Sequence, residues 1–137
     1  MPVFRTASEE ETIALGERLA ASLPRPACVL LAGNLGAGKT TLAKGIVKGL
    51  GAVAPEEVTS PTFTLIHEYA PDVIHIDLYR IEEARDLDTL GLDEIFDRHA
   101  VVLVEWGERF PERMPPECIR IRIRRLDGEV REIAVEP

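Results

Sequence analysis

The sequence predicts an α/β sandwich built on a mostly parallel sheet, and three observations carry that reading. Apolar runs of strand length, residues 27–32 and 100–104, alternate with stretches of helical spacing, residues 9–22 and 41–50. A glycine-rich loop, Gly33 to Thr40, joins the first of those runs to the helix after it. The C-terminal part alternates strictly as Ile119-Arg120-Ile121-Arg122-Ile123-Arg124 and turns at Asp127-Gly128, which reads as a hairpin.

Taken in order, Val3 to Thr6 reads as a short edge strand. Ser8 caps a helix over residues 9–22, and Glu11 three residues on supplies the second half of a capping box. Pro24 and Pro26 end it. Ala27 to Ala32 is a buried parallel strand. The helix after the loop carries apolar residues at 42, 46, 47 and 50, with Gly51 as its C-cap. Pro61 forces Ser60 out of the helical region, and Thr62 to Tyr69 is rich in β-formers. The turn at 70–72 joins it to a strand over 73–77, so the two pair antiparallel. Residues 81–97 read as one or two short helices broken at Gly91. A central strand follows at 100–104, ending in Glu105-Trp106.

The 137 residues read as a single domain, 1–137, with an ordinary apolar content of 45%. A net charge of −8 argues against broad nucleic-acid binding by this chain alone. There is no apolar run of membrane-spanning length and no apolar signal core in the first eleven residues. A cytoplasmic protein with no membrane association is expected. Cys28 and Cys118 are expected as buried free thiols, without metal-ligand spacing.

Gly33-Asn34-Leu35-Gly36-Ala37-Gly38-Lys39-Thr40 matches the phosphate-binding loop pattern G-x-x-x-x-G-K-[ST], in its required context of strand, loop and helix. The fold expectation sharpens to a P-loop NTPase-like three-layer sandwich. The glycines let backbone N–H groups approach phosphate, and the helix N-terminus favours the same anion. Lys39 adds a point charge for the outer phosphates, and Thr40 a hydroxyl for Mg²⁺.

Asp77 and Glu105 each end an apolar strand, where a carboxylate holds Mg²⁺ or orients water. Glu105 is the favoured metal ligand, with Asp77 sharing metal or water positioning. Thr62 sits where a switch segment senses γ-phosphate, with Ser60 and Thr59 as alternatives. His75 shares a face with Asp77, and a packed histidine is the competing reading. Arg80 reads as a phosphate neutraliser or a surface ion pair, and Trp106 as core or partner surface. Arg120, Arg122 and Arg124 read as a solvated face or a nucleotide or RNA contact. The only asparagine is Asn34, so the Asn-Lys-x-Asp guanine signature is absent and ATP is favoured by elimination.

Gly33 to Thr41, Ser60-Pro61-Thr62-Phe63, His75-Ile76-Asp77-Leu78-Tyr79-Arg80 and Val104-Glu105-Trp106 stand in this order, with Leu15-Gly16-Glu17 and Gly91-Leu92 also fitting. In these the sequence resembles the TsaE family, formerly YjeE, over about residues 6–110. The resemblance implies a bacterial cytoplasmic ATPase needed to form threonylcarbamoyladenosine at position 37 of tRNAs reading codons beginning with A. It implies work with TsaB and TsaD type proteins, tRNA being reached through that complex, and hydrolysis that resets it. By position, ATP is expected along Asn34, Leu35, Gly36, Ala37, Gly38, Lys39, Thr40 and Thr41. Thr40 and Glu105 would hold Mg²⁺, with Thr62, Asp77, Lys39 and Glu105 in the catalytic region. The resemblance places Glu9, near Ser8, toward the base. The alternatives are a small-molecule kinase and a non-hydrolysing, nucleotide-gated binding module.

Overall fold

The computed structural model of the chain describes residues 2–34, 36–52, 66–70 and 72–136. Its elements are β1 (Val3–Thr6), α1 (Glu9–Ser22), β2 (Ala27–Ala32), α2 (Lys39–Gly49), β3 (Ile66–Ala70), β4 (Val73–Asp77), α3 (Leu92–Phe96), β5 (Val101–Glu105), β6 (Ile119–Arg125) and β7 (Arg131–Glu136). Short 3-10 turns cover Ala84–Thr89, Gly107–Arg109 and Pro111–Arg113.

One seven-stranded sheet has the order β1-β7-β6-β2-β5-β4-β3. Its four middle strands, β6, β2, β5 and β4, are parallel. The antiparallel additions sit at both edges, β3 on one side and β7 then β1 on the other. Every residue of β4 and β5 is buried, because strands covered on both faces keep apolar residues on both.

Three layers follow from the alternation of side chains along each strand. On one face, Leu15 and Leu19 of α1 and Leu42, Ile46 and Val47 of α2 form one core with Val29, Leu31, Leu103, Ile121 and Ile133. On the other, Leu87, Leu92, Phe110 and Met114 pack with Leu30, Ile74, Ile76, Val102 and Val104. On β6, Ile121 and Ile123 are buried while Arg120, Arg122 and Arg124 are exposed, as the alternation requires.

Local chemistry fixes α1 against α2. Ser8 Oγ accepts the Glu11 N–H at 3.1 Å, and the Glu11 carboxylate accepts the Ala7 N–H at 3.0 Å. The return arm of the capping box therefore lands one residue earlier than the usual N-cap amide. The two helices approach through glycine. A Cβ on Gly16 would stand 2.6 Å from the Leu42 carbonyl oxygen, and one on Gly45 would overlap the Ile13 carbonyl. Cys28 and Cys118 are free and half-buried. The neighbouring Cys118 thiol, and then burial, push the Cys28 thiol up. Among the described residues no helix is long and apolar enough to cross a membrane.

Candidate functional site

The buried strand β2 delivers the chain to Gly33, and the loop hands it to α2. Gly36 (φ 81°) and Gly38 (φ 111°) lie in the left-handed region that only glycine adopts freely. Gly38 is the α2 N-cap, and among the described residues no side chain caps the helix. The first-turn amides are thus left for a ligand, at the positive end of an eleven-residue helix. The helix starts at Lys39, two residues before the helical spacing of the sequence becomes visible, so Lys39 and Thr40 belong to its first turn.

Lys39 is 4% exposed. Its Nζ donates to the Gly33 carbonyl at 2.8 Å and lies 3.4 Å from the centroid of the Trp106 ring. Burial pushes the Lys39 ammonium below its ordinary value, against the opposing pull of Glu105, Glu108 and Asp77. Parallel pairing of β4 with β5 sets Asp77 directly beside Glu105 at the strands' carboxyl ends. Both are 3% exposed. Thr40 Oγ1 donates to Glu105 Oε2 at 3.3 Å, and Asp77 Oδ1 accepts the Tyr79 N–H at 2.8 Å.

A cleft of about 350 Å³ gathers these groups: Gly36, Gly38, Lys39, Thr40 and Thr41 from the loop and α2, Asp77 and Glu105 from the strands, and Tyr79, Trp106 and Arg131. A small pocket bordered by Gly38, Thr41 and Arg131 adjoins it and reaches Ser8 and Glu9 at the start of α1. Asn34 and Ala37 line a larger cleft, about 1110 Å³, with Arg120, Arg122 and Arg124. That cleft borders the same loop but contains neither Lys39, Thr40 nor the two strand-end carboxylates. Thr62, with Ser60 and Thr59, and Leu35 lie outside the described residues.

Three residues gain roles that sequence reading did not give them. Trp106, left between core and partner surface, stacks on the lysine. It adopts φ 68°, a strained backbone for a bulky residue and one that clusters at functional sites. Arg109 donates to the carbonyls of Leu78 and Tyr79 at 2.8 and 2.6 Å and lies 5.1 Å from the Trp106 ring centroid. Arg131 on β7 is buried, and its Nε lies 3.3 Å from where a Gly38 Cβ would stand. Nothing in its local sequence marks it, because the order β7-β6-β2 brings it to the loop. Arg80 is exposed and does not line the cleft. Arg122 and Arg124 pair with Glu136 and Glu132 at 3.2 and 2.9 Å.

A parallel-stranded α/β domain with a glycine loop and a helix N-terminus at the carboxyl ends of its strands is a phosphate-loop protein. Comparison with known proteins narrows the class. The sequence profile of the family described as "Threonylcarbamoyl adenosine biosynthesis protein TsaE" matches residues 6–133. The TsaE protein of Bacillus subtilis is 45% identical over 95% of this chain and 82% of its own length. That of Mycobacterium tuberculosis is 38% identical over 91% and 80%. A crystal structure of Bacillus subtilis YdiB superposes with a TM-score of 0.75 at 38% identity, covering 96% of this chain and 82% of that one. The chain belongs to the TsaE family, whose role is in tRNA threonylcarbamoyladenosine biosynthesis.

Proposed function

We propose that the chain binds ATP at the loop and hydrolyses it as the nucleotide-driven component of the threonylcarbamoyladenosine machinery, slowly alone and faster with TsaB and TsaD type proteins. One observation carries this reading: Lys39, Thr40, Asp77 and Glu105 converge on a single cleft at the carboxyl ends of β2, β4 and β5. The α2 amides and Lys39 bind and orient the phosphates. Asp77 and Glu105 supply carboxylates beside the terminal phosphate for positioning water. Arg131 is the cationic side chain beside Gly38, and its Nη1 donates to the Gly128 carbonyl at 3.3 Å.

The donor set suits Mg²⁺. Thr40 and Glu105 offer hard oxygens on side chains already joined by the Oγ1–Oε2 bond of 3.3 Å, which leaves Glu105 Oε1 outside it. Among the described residues no group of three or more His, Cys, Asp and Glu could hold a metal by itself, so phosphate and water would complete the shell. Bound there, the ion would neutralise charge on the outer phosphates. ATP is preferred over GTP because the Asn-Lys-x-Asp signature is absent from the whole chain. Cytoplasmic location accompanies the proposed role.

Phosphate release from ATP by the purified chain tests the proposal, with and without a TsaB–TsaD pair and with Glu105→Ala as control. Stimulation by the pair, lost in Glu105→Ala while nucleotide still binds, is the expected result. Turnover by the isolated chain as fast as in the full complex would refute partner coupling. No hydrolysis under any condition would point to a nucleotide-gated module or to a phosphotransferase lacking its acceptor.

A further inference from the structure

His75 sits behind the cleft rather than in it. It is fully buried on β4, opposite Leu103 of β5 and on the same strand face as Asp77 two residues on. Its Nε2 lies 2.6 Å from Glu105 Oε2, and both side chains are almost without solvent contact. With the Glu105 carboxylate as the acceptor, Nε2–H is the donor of this bond. The Thr40 hydroxyl donates to the same oxygen, so neither bond occupies Oε1. The other ring nitrogen, Nδ1, is the one buried side-chain polar atom without a hydrogen-bond partner among the described residues. A leucine or phenylalanine would fill this core position without that unpaired nitrogen. The imidazole's distinguishing contribution is the N–H it gives to Glu105.

We propose that His75 is a positioning residue for the cation-binding carboxylate: its Nε2–H pins Glu105 Oε2 and leaves Oε1 for a divalent cation shared with nucleotide phosphate. The inference rests on the cation reading of the cleft. Outer partners of this kind orient a ligating carboxylate, and losing one weakens metal binding about 10–100-fold.

The test is Mn²⁺ titration of the purified chain with ADP present, free Mn²⁺ being read by electron paramagnetic resonance. His75→Phe, which fills the volume but cannot donate, is expected to weaken Mn²⁺ about 10–100-fold with ADP affinity in the absence of metal changed less than about 2-fold. His75→Gln, whose amide N–H stands in for Nε2–H, is expected to stay within about 3-fold of wild type. Equal Mn²⁺ affinity in wild type and His75→Phe overturns the proposal. Equal losses in both variants also overturn it, since packing rather than donation would then be at work. No Mn²⁺ uptake by the wild type would instead remove the cation reading, and this inference with it. Should His75→Phe not fold, ¹⁵N-histidine-labelled wild type decides. The His75 Nε2–H resonance is expected to shift when Mg²⁺ joins the ADP complex, and an unmoved resonance overturns the proposal.

Discussion

Lys39 is held away from solvent by two partners, the Gly33 carbonyl at 2.8 Å and the face of Trp106 at 3.4 Å, with which a bound phosphate would compete. Phosphate competes well for an ammonium, since a bond in which both partners are ionised exceeds one from the ammonium to an uncharged carbonyl. Trp106 is the single tryptophan of the chain, so its emission reports departure of the lysine. ATP is expected to shift that emission in wild type. Lys39→Ala is expected to lower ATP affinity about 10–100-fold, the loss of one charged hydrogen bond, with the fold retained. Unchanged affinity by calorimetry would refute the phosphate role. The buried ammonium also has a pH signature. Its folded-state value is depressed, so the unfolded chain binds the proton more tightly and stability rises with pH between the two values. Wild type is therefore expected to gain stability relative to Lys39→Met as pH climbs toward about 10.4, the ordinary lysine value. Urea melts at pH 7 and pH 10 check the sign, and a gap that moves the other way would contradict burial as the dominant cause.

At the scale of elements, the contact between α1 and α2 places the loop helix on the sheet, and it depends on glycine. Gly45→Ala sets a methyl against the Ile13 carbonyl, and backbone cannot yield as a side chain tip can. A loss of about 1–3 kcal/mol in urea unfolding is expected, the usual cost of overpacking. Unaltered stability would mean that the helices part without cost. Much of this architecture is legible in sequence, because it is written in local chemistry. Ser8 and Glu11 mark the start of α1, the buried apolar runs mark β2 and β5, and Asp127-Gly128 marks the β6–β7 hairpin. The loop residues and strand-end acids are legible for the same reason. What is not legible is long-range. The approach of Gly16 to Gly45 needs two helices at once, and Arg131 reaches the loop only through sheet order. The stacking of Trp106 under Lys39 depends on the left-handed turn after β5. The bond from His75 to Glu105 depends on β4 pairing with β5, so sequence left that histidine between packing and function.

Across the whole molecule, charge decides how strongly this chain can hold RNA by itself. The net charge is −8, and the exposed arginines of β6 do not form a bare cationic face. Arg122 and Arg124 meet Glu136 and Glu132, and Arg125 lies 3.6 Å from Glu129. Such exposed pairs add little stability, but they cancel much of the local field that would attract phosphate. A protein that neutralises few phosphates releases few counterions, and its affinity for RNA stays low and nearly independent of salt. Fluorescence anisotropy with labelled tRNA is expected to give a dissociation constant weaker than about 10⁻⁴ M for the chain alone at physiological salt. Replacing the acids should expose the arginines. Glu132→Gln with Glu136→Gln is expected to raise tRNA affinity and steepen its fall with salt. Micromolar binding by the wild-type chain alone would show that this face already reads RNA. No gain in the double variant would show that the arginines are not spaced to follow a phosphate backbone. Weak binding alone, with a gain on removing the acids, would mean that the chain's own field does not draw tRNA and that Glu132 and Glu136 are the reason.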